Sequence, residues 1–116
     1  MNKALKVGAE RFIVKDVAEP VATIEYLLET PGDKCTWLGL LQIKKEYQGR
    51  GYGTRILGQI EEIFRGQQVK NYRIGVIAEN EPALKFWKKH GFQEVKSVIN
   101  EDAKETITFE KNLSEL

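Results

Sequence analysis

Short runs of β-branched and alternating apolar residues fill the first part of the chain and predict β-strands. The segments are residues 11–16, 21–28 and 36–43. Glu19 and Pro20 mark one turn between them, and the Thr-Pro-Gly-Asp run at residues 30–33 marks the next. The third segment is apolar on both faces, which predicts a central strand covered on both sides. Gly39 within it indicates a bulge or a close backbone approach.

From residue 54 onward the apolar positions follow the period of an α-helix, and Gly66 is a suitable end for it. The residues that share this helical face are Ile56, Leu57, Ile60, Ile63 and Phe64. A second helix is predicted after Asn80, which is a favoured N-cap residue, with Pro82 in its first turn. Gly91 lies just beyond the end of that helix. Its apolar face consists of Ala83, Phe86, Trp87 and His90.

Three more alternating segments complete the pattern. Residues 71–78 lie between the helices, and residues 92–99 and 105–111 follow them as a predicted hairpin. The order β-β-β-α-β-α-β-β predicts an α/β fold with a mixed, mostly antiparallel central sheet flanked by helices. A chain of 116 residues suffices for one hydrophobic core, so we expect a single domain over residues 1–116.

The composition narrows the possible classes of function. A net charge of +1 and a charged fraction of 30% argue against a disordered chain and against a protein that mainly binds nucleic acid. Cys35 is the single cysteine, so we expect neither an intramolecular disulfide nor a cysteine-based metal site. The first residues lack the apolar run of a signal peptide, and no segment is long enough to span a membrane. We therefore expect a cytoplasmic protein with no membrane contact.

The segment with the clearest chemistry is residues 48–54, where glycines alternate with other residues between a strand and a helix. Glycines let the backbone turn sharply and approach a ligand closely. The helix N-terminus offers unpaired N–H groups to an anion such as phosphate. The first turn carries Thr54 and Arg55 and no acid, which fits an external anion. Taken alone, this loop is equally compatible with a turn that binds nothing.

Two motifs in register give a more specific indication. Within residues 41–53, Gln48, Gly51 and Gly53 match a strand-to-helix pattern, Gln/Arg-x-x-Gly-x-Gly/Ala. Downstream, a second pattern runs from Asn80 to a Gly-Phe pair at the end of the second helix; its residues are Asn80, Ala83, Phe86, Trp87, Gly91 and Phe92. Over residues 11–111 the chain resembles the GNAT superfamily of N-acetyltransferases, as an unusually short member that lacks the N-terminal helices.

The resemblance implies acetyl-CoA as the cofactor and no metal. It implies that pantetheine pairs with the edge of the central strand and that backbone amides of the glycine loop bind the pyrophosphate. An amine would attack the thioester carbonyl directly, with an N–H near Ile43 stabilising the oxyanion. The cofactor-binding residues implied in this way are Leu41, Gln42, Ile43, Gln48, Gly49, Arg50, Gly51, Tyr52, Gly53, Thr54, Asn80 and Trp87.

The chain departs from the family pattern where the acid and base usually lie. Trp87 occupies the position of the common tyrosine acid, and Gly75 and Trp37 occupy positions of the common glutamate bases. The catalytic residues are therefore unknown at this stage. Glu25 could serve as a general base and Tyr47 as a hydrogen-bond donor, but a structural role is favoured for both. It is favoured also for Cys35 and for His90, the single histidine.

The segment before residue 11 is too short for the two helices that usually form the acceptor groove, although residues 3–7 alternate like a short strand. The acceptor site is therefore open, built differently or completed by a second subunit. The uncovered edge at residues 11–16 favours a homodimer. The function that follows is acetyl transfer to a primary amine of a small molecule or a peptide. The alternatives are a non-catalytic acyl-CoA-binding module that serves as a sensor or assembly partner, and a structural remnant that binds no CoA.

Overall fold

The computed structural model describes residues 9–16, 18–30 and 34–113. In this part of the chain the strands and helices follow the predicted order, and the fold class is confirmed. The elements are β1 (Ala9–Asp16), β2 (Glu19–Leu27), β3 (Thr36–Ile43), α1 (Tyr52–Gly66), β4 (Asn71–Ile77), α2 (Glu81–Lys89), β5 (Gln93–Ile99) and β6 (Glu105–Asn112). The predicted strand at residues 3–7 and turn residues 31–33 lie outside the described residues.

The strands form one sheet in the order β1-β2-β3-β4-β6-β5. All neighbours are antiparallel except β3 and β4, which run parallel. The parallel ladder contains only two pairs, Thr36 with Tyr72 and Trp37 with Arg73. Beyond these pairs β3 and β4 separate, so the sheet has a cleft at its centre.

Both helices pack on the same face of the sheet. Phe64 of α1 contacts Tyr26 of β2 and Tyr72 of β4, with ring centroids 5.1 and 4.9 Å apart. Phe92, which follows α2, contacts the same Tyr72 at 5.2 Å and Trp87 at 5.0 Å. These aromatic side chains connect the two halves of the sheet beneath the cleft.

Gly39 forms a bulge in β3, as its position in the sequence indicates. Leu38 and Leu40 pair with consecutive residues of β2, which leaves Gly39 as the extra residue. The alternation therefore shifts by one position: Leu38 faces the helices before the bulge, and Leu41 and Ile43 face them after it. This shift explains the apolar run, and the prediction that β3 is covered on both sides is wrong because both helices lie on one face.

One carboxylate is buried between α1 and the sheet. Glu61 is only 6% exposed, and its Oε2 accepts a 2.7 Å hydrogen bond from the hydroxyl of Tyr72. Lys111 Nζ of β6 lies 2.8 Å from the same oxygen, and Arg65 Nη2 lies 3.9 Å from Oε1. Burial raises the pKa of Tyr72 strongly, and the hydrogen bond to Glu61 raises it further. The phenol therefore remains a donor to this carboxylate throughout the physiological range.

Candidate functional site

The glycine loop begins after a short 3-10 turn, Lys45–Tyr47, and ends at the N-terminus of α1. Gly49 and Gly51 have φ values of +77° and +84°, which residues with a Cβ adopt only with strain. A Cβ at either position would have no atom within 4 Å, so the space in front of this backbone is open. Gly51 is the N-cap of α1, and the first turn contains no acidic residue. The loop thus presents helix N–H groups to open space, as an anion site requires.

Two adjoining cavities of about 320 and 360 Å³ lie between this loop and α2. They share Ile43, Gln48, Gly53 and Phe86 in their walls. The first is also lined by Tyr47, Gly49, Gly51, Tyr52 and Thr54. The second is also lined by Leu41, Gln42, Pro82, Ala83 and Trp87. The structure thus brings together all of the predicted binding residues except Arg50 and Asn80.

The backbone of β3 faces the cleft at two residues of the cavity wall. Lys44 N–H donates to Val21 O of β2 at 2.8 Å. Because N–H and C=O directions alternate along an antiparallel strand, the backbone groups of Ile43 and Leu41 point away from β2. Gln48 Nε2 donates to Ile43 O at 3.0 Å, in agreement with this direction. The N–H of Ile43 and both polar groups of Leu41 are therefore directed toward the space where β4 has separated.

The two predicted residues outside the cavity walls have other contacts. The guanidinium of Arg50 lies 5.6 Å from the centre of the Tyr47 ring. Asn80 Oδ1 accepts a 3.2 Å hydrogen bond from Ala83 N–H, so this side chain caps α2 as predicted. The cofactor contacts assigned to these two residues stay predictions, as do those assigned to the residues of the cavity walls.

Phe86 lines both cavities, whereas sequence reasoning placed it on the apolar face of α2 without assigning it to the binding site. A Cβ on Gly53 would lie 3.3 Å from its ring, so the glycine permits α1 and α2 to approach each other here. Phe86 lies four residues after Pro82, and Trp87 lies four residues after Ala83. Residues four apart share one face of a helix, so this spacing is the signal that both turns line the same cavity. The Trp87 ring meets Phe86 edge-on at 4.9 Å and forms part of the same wall.

His90 joins the end of α2 to the start of α1. Its Nε2 lies 3.2 Å from the hydroxyl oxygen of Thr54, and its ring lies 4.5 Å from that of Phe86. Burial lowers the pKa of His90, and the positive charges of Lys111 and Lys89 lower it further. The imidazole is therefore largely neutral at pH 7.

The other candidate catalytic residues, Glu25, Tyr47 and Cys35, have contacts or burial typical of structural residues. Glu25 Oε2 accepts hydrogen bonds from Arg11 Nη2 at 2.8 Å and from Nε at 3.0 Å, which holds this carboxylate in an ion pair. Tyr47 packs edge-on against Tyr52 at 5.5 Å, and Cys35 is half-buried.

Within residues 9–16, 18–30 and 34–113 there is no group of three His, Cys, Asp or Glu side chains suited to a metal. In the same ranges no helix is both long and apolar enough to cross a membrane.

The fold of this chain is similar to the folds of several solved acetyltransferases. A GNAT family acetyltransferase from Elizabethkingia anophelis with acetyl-CoA bound has a TM-score of 0.78 and 16% identity, covering 96% of this chain and 80% of its own. An acetyltransferase from Thermus thermophilus has a TM-score of 0.79 and 26% identity, covering 96% and 70%. A mutant spermidine N-acetyltransferase from Vibrio cholerae has a TM-score of 0.79 and 19% identity, covering 93% and 68%.

Two comparisons of the sequence itself give different results. A search of curated protein sequences finds no match. The profile of the acetyltransferase (GNAT) family matches residues 3–92, which is most of the chain. This protein therefore belongs to the GNAT family of acetyltransferases.

Proposed function

We propose that this protein is an N-acetyltransferase that moves an acetyl group from acetyl-CoA to a primary amine of a small molecule or a peptide. The observation that carries the proposal is the junction of two features. The open glycine loop at the start of α1 lines a cavity together with Ile43, which lies in the part of β3 that no longer pairs with β4. One feature suits a pyrophosphate, and the other exposes a strand edge to an amide-containing chain.

The residues of the cleft fit the cofactor. Backbone N–H groups of residues 49–54 would hold the pyrophosphate, supported by the positive end of α1. The outward N–H and C=O groups of Leu41 would pair with the amides of pantetheine. When bound, acetyl-CoA supplies a thioester, which is an activated acyl group. The outward N–H of Ile43 is then the donor best placed to stabilise an oxyanion, and such a donor contributes about 3–4 kcal/mol.

We expect this protein to accelerate acetyl transfer mainly by orienting the amine and the thioester. Trp87 and Gly75 have no titratable group for proton transfer near neutral pH, and Glu25 is held by Arg11. Holding two reactants in productive geometry supplies about 7–11 kcal/mol by itself. An acceptor with a population of free amine therefore needs no protein base, and water chains can carry the proton away.

The function is tested in two steps. Calorimetric titration of acetyl-CoA and CoA into the protein measures binding. A thiol-release assay with a panel of amines then measures turnover. Spermidine enters the panel because one structural neighbour is a spermidine N-acetyltransferase, and a peptide enters it because another, the NatC complex, was solved with a bound peptide and CoA. Binding with amine-dependent thiol release supports the proposal. Binding without release for any amine identifies a non-catalytic acyl-CoA-binding module, and absence of binding contradicts both.

Replacement of Trp87 tests whether proton delivery limits the reaction. We expect Trp87→Tyr to raise kcat about tenfold, because a phenol in this wall can protonate the leaving thiolate. Steady-state thiol release with the best amine measures the effect, and Trp87→Phe serves as the matched control without a hydroxyl. Equal kcat values for the two variants would show that this proton step is not rate-limiting.

The homodimer stays a prediction. Among the strands that the structure describes, β1 lies at an edge of the sheet, and its Ile13 is 62% exposed, which supports pairing with a second copy. The register shift between Val14 and Lys15 interrupts the same edge and works against it.

A further inference from the structure

Thr54, in the first turn of α1 and in the wall of one cavity, contacts His90, the residue that follows α2. The hydroxyl belongs to the helix turn that faces the proposed phosphate site. The imidazole lies behind it, against Phe86. This inference rests on the proposed function, because it concerns how the chain holds the phosphates of the cofactor.

We propose that His90 is a positioning residue for cofactor binding, which orients the Thr54 hydroxyl toward the phosphates. Nε2 and Oγ1 are 3.2 Å apart, so one of the two atoms donates and the other accepts. When Nε2 carries a hydrogen it donates to Oγ1, and the hydroxyl proton remains available for an anion. When Nε2 lacks a hydrogen, the hydroxyl donates its proton to Nε2. Only the lone pairs of the hydroxyl oxygen then remain to face an anion, and they repel it. An anion at the start of α1 therefore selects the form in which Nε2 is protonated.

The imidazolium always carries that hydrogen, so protonation of His90 and anion binding favour each other. The charged groups that face the ring are Lys111 on β6, Lys89 on α2 and Glu61 on α1. Glu61 is already paired with Lys111, so their net influence changes little when the cofactor binds. A bound phosphate adds negative charge near the ring, and the pKa of His90 rises. By linkage, CoA affinity then increases as the pH falls through the slightly acidic range.

The single histidine makes the first test unambiguous. An NMR titration of the imidazole C–H signals, in a protein without a histidine tag, follows His90 alone. We expect its pKa to be higher in the CoA-saturated protein than in the free protein. We expect this increase to shrink in Thr54→Val, which removes the hydroxyl and keeps the shape of the side chain. An unchanged or lower pKa in the CoA complex overturns the proposal.

Calorimetry with CoA from pH 5.5 to 8.5 gives the second test. We expect His90→Ala to weaken binding about threefold to tenfold, the effect of one lost hydrogen bond. His90→Gln retains an N–H donor that does not titrate, so the His-dependent increase in affinity at low pH should disappear in this variant. The two substitutions in His90→Ala/Thr54→Val should not be additive, because they remove one interaction.

The outcomes separate this inference from the proposed function. Full CoA binding by wild type, with the same pH profile in His90→Gln, rejects the role of His90 and leaves the acetyltransferase proposal intact. Additive effects of the two substitutions likewise reject it. Absence of CoA binding by folded wild type rejects the proposed function and this inference together.

Discussion

Gly51→Val is expected to abolish cofactor binding, with a loss of affinity of at least about 100-fold. Gly51 caps α1 at a φ of +84°, and a β-branched residue there is strained. The new side chain would project into the open space before the helix amides, where a Cβ has no neighbour within 4 Å. Loss of two hydrogen bonds to a charged phosphate, at about 1.5 kcal/mol each, accounts for this magnitude. Calorimetric titration with CoA measures it.

A second glycine of α1 provides the matched control. Gly58 is exposed, lies inside the helix and would likewise have no atom within 4 Å of a Cβ. Gly58→Val should bind CoA like wild type, since Val is no worse than Gly inside a helix. Gly51→Asn separates strain from obstruction, because Asn tolerates a left-handed conformation but still fills the space. A folded Gly51→Val that binds CoA as tightly as wild type would show that the loop does not hold the phosphates.

Glu61→Ala is expected to lower the free energy of unfolding by about 3–5 kcal/mol. The substitution leaves Lys111 Nζ, whose side chain is only 22% exposed, without its carboxylate, and Tyr72 loses its acceptor. It also opens a space beneath α1. Urea denaturation followed by circular dichroism measures the loss, and thermal unfolding should show a lower Tm by roughly 10–20 °C.

The neighbouring carboxylate is the control for this prediction. Glu62 is exposed on the same helix, and Glu62→Ala should change stability by less than about 0.5 kcal/mol. The double variant Glu61→Leu/Lys111→Met removes both charges and should recover much of the loss, because apolar side chains of similar volume often replace buried ion pairs without cost. Equal destabilisation by Glu61→Ala and Glu62→Ala would mean that the buried ion pair of Glu61 contributes no more to stability than an exposed glutamate does.

The helices and strands were predictable from the sequence because their periods and end signals agree. Ile56, Leu57, Ile60 and Phe64 of the predicted apolar face are buried, whereas Ile63, which was assigned to the same face, is 40% exposed at its margin. Asn80 caps α2, and Gly91 follows its end with a φ of +92°. Such signals are local, so a single sequence contains them in full.

Features that depend on tertiary neighbours were less accessible. The apolar run of β3 has two interpretations, coverage on both faces or a phase shift at a bulge, and only the pairing with β2 separates them. Glu61 lies on the apolar face of α1, but its partner Lys111 is 50 residues away and enters through β6. Phe86 lines the two cavities because Gly53 lets α2 approach α1, a contact between elements that no local pattern contains.

The brief ladder between β3 and β4 has a consequence for motion. With two residue pairs joining them, the antiparallel units β1-β2-β3 and β4-β6-β5 are held together chiefly by the side chains beneath, and we expect them to move as separate units. A ligand chain in the cleft would complete the missing ladder and suppress this opening. Hydrogen–deuterium exchange at the amides of Leu41 and Ile43 should therefore be fast in the free protein and slow markedly with CoA. In that state the cofactor acts as a seventh strand of the sheet.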